Sequence, residues 1–203
     1  MGSRIMHAII GNKIAKALAI QDKPAFLYGN IAPDAVFAAA EKDRSHFFTG
    51  DARDFSRSVD YQGFLQKYRT KHPYVLGYYT HLIADDIWLK GFFLPWLRNR
   101  INADDSLASL YHRDFRLLNG MLLEYYECAG EIKVGLAGQP AMVDLEEVSA
   151  DAVMKFADSV RGDMSYQAES LTENLNVFTQ TQIIGYIETS VEMGIFKLKQ
   201  MKR

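Results

Sequence analysis

Cysteine is almost absent from this sequence. Cys128 stands alone, so no disulfide can close within the chain, and a reducing, cytoplasmic setting is expected in place of a disulfide-braced secreted scaffold. Long hydrophobic runs are missing too: nowhere do about 18 apolar residues follow one another, which predicts no membrane-spanning helix. The opening MGSRIMHAIIGNKIAKAL puts lysines after a short apolar run, unlike a signal peptide, and Met6 stands where a myristoylation signal wants serine or threonine. Neither sign of charge dominates. A formal net charge of -2 and a pI near 6.2 offer phosphate polymers no general attraction, so no extended nucleic-acid binding is expected. Repeats and low-complexity tracts are absent, and period-two alternation is scarce.

What the chain does have is apolar residues at helical spacing. Ile5, Ile9, Ile10, Ile14 and Leu18 form one stripe, and Leu107, Leu110, Leu117, Leu118, Met121 and Leu122 form another. Helices are predicted over 3–19, 34–41, 60–70, 73–98, 105–129, 149–172 and 178–200. Pro73 suits the first turn of the central helix, Asp104 or Asp105 can cap the next, and Ser149 stands just before ADAVMKFADSV. The Gly- and Pro-containing stretch 130–144 is expected to form a lid or a short hairpin. The final stripe, TQTQIIGYIETSVEMGIFKLKQ, is assigned to packing; Lys197, Lys199, Lys202 and Arg203 suit a helix C-terminus, and the face leaves a homo-oligomer open. With 203 residues and 48% hydrophobic residues, the expectation is an all-α fold, a helical bundle forming one domain over 1–203.

Histidine is sparse, and four of the five belong to a scattered set of candidate metal ligands: His7, Asp34, His46, His81, Asp85 and His112. His81 and Asp85 lie four apart in the apolar run GYYTHLIADDIWLKGFF, where a helix puts both on one inward face with Tyr74, Tyr78 and Trp88. Burying an imidazole beside a carboxylate costs about several kcal/mol unless they are paired or bound to metal. Each residue also has a plainer reading. His81 and Asp85 can bond each other, His7 can be a satisfied core histidine, Asp34 an N-cap after the turn signalled by Gly29, Asn30 and Pro33, His46 a loop residue, and His112 a helix-surface residue. His72, before Pro73, is read as a loop residue with no ligand role.

Taken in order, GNIAPD, SHF and YYTHLIADDIW resemble the zinc-dependent phospholipase C family, more closely its short cytoplasmic bacterial members, and the resemblance runs from His7 to about Trp88. It implies an all-helical fold of the phospholipase C and single-strand nuclease type. It further implies that Asp34, His46, His81 and Asp85 surround one zinc and that His7 binds a second, with Asp85 bridging. Imidazoles and carboxylates together suit zinc. Where the secreted members use an N-terminal tryptophan and a later pair of histidines, this chain has Met-Gly and only His112, which points to one or two zinc ions, His7 and His112 sharing the second.

The implied activity is hydrolysis of a phosphoester by metal-activated water, with Asp34 as the base. Arg4, Lys42 and Arg44 are candidates for gripping the phosphate oxygens, or else are solvated surface charges. Tyr78, Tyr79, Trp88 and Phe92 can line a pocket or simply fill the core. The expected substrate is phospholipid-like or a small phosphodiester. A nuclease or nucleotide phosphatase on the same site, or a metal-binding module without turnover, remain the alternatives.

Overall fold

Ser3 starts the first helix. Its hydroxyl accepts the Met6 N–H, satisfying one of the donors that a helix N-terminus leaves free, and α1 runs Arg4–Ala17. Coordinates come from a computed structural model that describes residues 2–201. Asp22 caps α2, Lys23–Ile31, which runs into a 3-10 turn over Ala32–Asp34. The α3 helix, Ala39–Ser45, follows, and then two short strands, β1 (Phe48–Thr49) and β2 (Ser58–Val59), pair antiparallel with Phe48 opposite Val59. The Asp60 side chain caps α4, Tyr61–Lys67.

The central helix α5, Pro73–Trp88, has Pro73 in its first turn, as expected, and continues as a wider π-helical stretch over Leu89–Leu97 before α6, Arg98–Ala103. Pro95 lies inside the π stretch, where it removes a donor from the helical ladder. Beyond it come α7 (Leu107–Tyr126), α8 (Ala129–Gly135), α9 (Ala150–Gly162) and α10 (Gln180–Gln200). The fold is all-α apart from the small hairpin.

Several expectations need correction. No helix starts at Asp34: this residue ends the 3-10 turn, and α3 begins five residues later. The α2 helix went unpredicted because Ala25 to Ile31 are all buried, so it has no polar face to give it a period, and its Gly29-Asn30 pair reads as a turn. The 130–144 stretch is no hairpin. It opens with α8 and then runs irregularly to Ser149, which does cap α9. The α9 helix stops at Gly162, ten residues short of the expected end. Lys197 and Lys199 occupy the last turn of α10, whereas Lys202 and Arg203 lie outside the described residues.

The core gathers apolar residues from nearly every helix, with Trp88, Tyr28, Tyr74, Tyr78, Phe26 and Phe64 among the largest fully buried side chains. Burying each such ring is worth about 1.5–3 kcal/mol. Trp88 packs on Phe92, Phe115, Phe178 and Tyr186, and Tyr78 stacks on Phe64 at 4.6 Å. The α10 helix spends its stripe inward against α1 and α5, leaving Met193 and Phe196 exposed.

The tightest crossing is α2 on α5, and two glycines permit it. A Cβ on Gly29 would overlap the carbonyl oxygen of Tyr74, and one on Gly77 would overlap that of Phe26. Both obstacles are backbone, which cannot step aside as a side chain can. Gly77→Ala is therefore expected to destabilise the protein by about 3 kcal/mol or more, measured by urea unfolding. A loss under about 1 kcal/mol would mean that the helices can separate without penalty.

Candidate metal centre

Four separate elements deliver five side chains to one buried point. His7 comes from the first turn of α1, Asp34 from the 3-10 turn, His46 from the C-terminal end of α3, and His81 and Asp85 from successive turns of α5. His7, His46, His81 and Asp85 have no solvent exposure, and the Asp34 side chain is 17% exposed. His7 Nε2 lies 3.3 Å from Asp85 Oδ1, and His46 Nε2 lies 3.4 Å from Asp34 Oδ1 and 3.5 Å from Asp85 Oδ2. His81 Nε2 is 3.6 Å from Asp85 Oδ2, and the rings of His7 and His81 stack at 3.7 Å. Two sets of three bring their donor atoms within 4.8 Å of one another: His7, Asp34 and His81, and His46, His81 and Asp85.

The outer nitrogens of two imidazoles are fixed from behind. His81 Nδ1 donates to the carbonyl of Asn30 at 2.8 Å, a group near the C-terminal end of α2 where helical carbonyls lack partners. His46 Nδ1 lies 2.9 Å from the Lys42 carbonyl and 2.9 Å from Ser45 Oγ. Ser45 itself donates to the Pro33 carbonyl at 2.8 Å, so toward His46 its oxygen is an acceptor, sharing the Nδ1–H hydrogen bond with the Lys42 carbonyl. In neutral His46 and His81 the proton therefore sits on Nδ1, and each Nε2 presents a lone pair to the cluster.

Lone pairs facing carboxylates repel unless a cation lies between them. His7 Nδ1 and Nε2, His46 Nε2, His81 Nε2 and both Asp85 oxygens are buried and make no hydrogen bond. Leaving one such atom unpaired costs about 1–3 kcal/mol, and here the three Nε2 atoms all converge on the Asp85 oxygens. The donor set, neutral imidazoles with hard carboxylate oxygens, has the composition that zinc takes.

A family model described as zinc dependent phospholipase C matches residues 6–88. The matched segment is less than half of the chain, contains all five converging side chains, and ends at Trp88, before His112. No curated protein and no solved structure matches the chain. The family is zinc-dependent and its fold is all-α, in keeping with the buried His/Asp sets and the helices described above.

The remaining candidates fall elsewhere. His112 is exposed, packs edge-on against Tyr111 at 5.2 Å, and belongs to neither donor set. It instead lines a cavity of about 710 Å³ whose wall also includes Asp34, Arg4, Lys42 and Arg116. Arg4 is held there by Asp163, at 2.5 Å, and by Ser159. Arg44 is exposed and does not line this cavity. Tyr78, Tyr79 and Trp88 are core residues, and none of them, nor Phe92, lines the cavity; its aromatic lining comes from Phe37, Tyr111, Phe115 and Phe156. His72 caps α5, its Nδ1 accepting the Tyr74 N–H at 3.3 Å. Sequence reasoning passed over Asn30 and Ser45, whose roles depend on backbone approach and leave no spacing signal. It also passed over Tyr186, whose buried hydroxyl has no partner and lies 3.0 Å from where a Cβ on Gly2 would sit, itself 3.5 Å from His7 Nε2.

Protonation follows the geometry. Burial alone would raise Asp85 and Asp34, but the neighbouring imidazoles win and hold both carboxyls below the ordinary range: His7 and His81 for Asp85, His46 and His81 foremost for Asp34. Burial lowers His7, reinforced by the charge of His81; it also opposes protonation of His81, where Asp85 overcomes it and raises the imidazole. His81 thus adds stability below roughly pH 6.5 that is lost at higher pH, while His7 acts in the opposite sense. The carboxyls, depressed in the folded state, contribute stability that is full above roughly pH 4 and disappears as pH falls through their folded values. In urea unfolding of metal-free protein, the midpoint should therefore drop below about pH 4, and Asp85→Asn should flatten that acid limb. An identical acid limb in the variant would remove Asp85 from this account.

Proposed function

We propose that this protein is a zinc-dependent phosphoester hydrolase, a single domain in which His7, Asp34, His46, His81 and Asp85 hold one or two zinc ions. The observation that carries this reading is the set of buried, unpartnered nitrogen and oxygen atoms of His7, His46, His81 and Asp85, aimed at one another from distant parts of the chain. When bound, zinc supplies Lewis acidity for phosphoryl transfer to water and neutralises charge developing on phosphoryl oxygens. Everything else is supplied by side chains.

His46 and His81 present Nε2 because the Lys42 and Asn30 carbonyls hold their Nδ1 protons. Asp85 lies against His7, His46 and His81 at once, so it would hold metal together with all three imidazoles. Asp34 is partly exposed and lines the cavity, so a carboxylate oxygen of this residue can accept a hydrogen bond from the attacking water. In its ionised form it orients that water and takes its proton as the new O–P bond forms and the P–O bond to the alcohol breaks, the alcohol leaving with a proton from solvent. Lys42 lines the same cavity without an ion-pair partner among the described residues and can reach a phosphoryl oxygen. Arg4 is tied to Asp163 and shapes the wall, while Arg44 takes no part. His112 stands at the cavity and is not assigned a metal.

The family's name points to a phospholipid substrate, and the apolar lining by Val36, Phe37, Phe115 and Phe156 can accommodate an acyl or similar group beside Asp34. No helix in the described chain is long and apolar enough to cross a membrane, so such a substrate would be met at a surface or in solution. Purified protein is expected to carry zinc, to lose it in His81→Ala and Asp85→Ala, and to keep it in His112→Ala, by elemental analysis. On a panel of phospholipids, nucleotides and small phosphodiesters, the first two variants should lose activity by about a hundredfold or more. Zinc retained in both variants would refute the ligand assignment; zinc bound with no turnover on any substrate would leave a metal-binding module.

A further inference from the structure

Asp114 fixes how α7 is turned. This fully buried carboxylate accepts the backbone N–H groups of Asn176, Val177 and Phe178 at 2.7–3.1 Å, clamping the segment before α10 onto α7. Positions two residues away on either side of a buried helical residue point roughly 200° from it, so His112 and Arg116 face outward on one stripe, one turn apart. That stripe is a wall of the 710 Å³ cavity, with Lys42 on the wall contributed by α3.

None of these three side chains has an ion-pair partner among the described residues. Arg113, on the same helix and outside the cavity, is paired with Glu173, and Arg4, inside it, is paired with Asp163. The carboxylates lining the cavity are Asp34, already engaged with His46, and Asp163. A cavity with cations left over on the wall beyond Asp34 favours a ligand with negative charge at two places.

We propose that Arg116, with His112, forms a second anion site in this cavity, and that the preferred substrate is a phosphoester bearing another phosphate on the alcohol portion. The proposal rests on the hydrolase reading above for the scissile phosphate. The second phosphate is gripped by the Arg116 guanidinium, which can offer two parallel N–H groups to two phosphate oxygens. A cationic headgroup is disfavoured by the same charges. This chemistry could belong to a soluble bisphosphate or to a phosphorylated lipid headgroup, and both are tested.

Calorimetry with zinc-loaded protein compares glycerol 3-phosphate with glycerol 1,3-bisphosphate, and vesicle binding compares phosphatidylcholine alone with phosphatidylcholine containing phosphatidylinositol phosphate. The doubly phosphorylated ligand should bind about tenfold tighter or more in at least one arm, which identifies the source. Arg116→Gln should abolish that advantage while leaving glycerol 3-phosphate affinity and zinc content unchanged, and Arg113→Gln should alter neither. An advantage that persists in Arg116→Gln, or is absent from wild type in both arms, overturns the proposal. If the protein takes up no zinc, the hydrolase reading fails, and an Arg116-dependent preference for the bisphosphate in that metal-free protein still decides the second anion site.

Discussion

The close approach of α2 to α5 is the constraint on which the candidate metal centre depends. Because Gly29 and Gly77 lack side chains, the two backbones meet, and the Asn30 carbonyl reaches His81 Nδ1. The Asn30 side chain bonds Thr80 at 3.0 Å across the same contact, locking the helical register. A slip of one residue would turn His81 away by about 100° and unmake the donor set. Packing thus determines electrostatics here: a steric fit between two helices fixes which imidazole nitrogen carries a proton.

The centre itself is poor in internal satisfaction. A folded chain ordinarily pairs its buried polar groups, yet those of His7, His46, His81 and Asp85 face each other at 3.3–3.6 Å without a hydrogen bond. The surrounding helices hold them in place because the core, from Ile5 to Leu198, is large enough to outweigh the local cost. Stability is given up where these donors converge, which is common where a fold serves a ligand.

Much of this was legible in the sequence. Helical periodicity revealed α7, α9 and α10, each with a polar face, while the largely buried α1 and α5 were marked by their apolar spacing, with Pro73 opening α5 and four-residue spacing putting His81 and Asp85 on one side of it. What escaped was buried all round or irregular. The α2 helix has no polar stripe, and the path from Pro33 to His46 is set by a turn and a short helix with no periodic signature. Asp34 and His46 were identifiable only by resemblance of motif, since nothing local indicates that they meet. His112 lies outside both donor sets, and helix rotation, fixed by Asp114, brings it to the cavity wall. Of the two readings open for Tyr78, Tyr79 and Trp88, core packing is the one the structure bears out, because they lie too deep on α5 to reach the cavity.

The converging donors and the cavity wall come from different parts of the chain. All five converging side chains lie within residues 6–88, whereas Tyr111, His112, Phe115, Arg116 and Phe156, on the cavity wall, lie beyond them. The two are therefore separately inheritable. Change in the later helices can reshape the hollow without touching the five donors, and proteins sharing only the first segment are free to diverge in the wall that faces them.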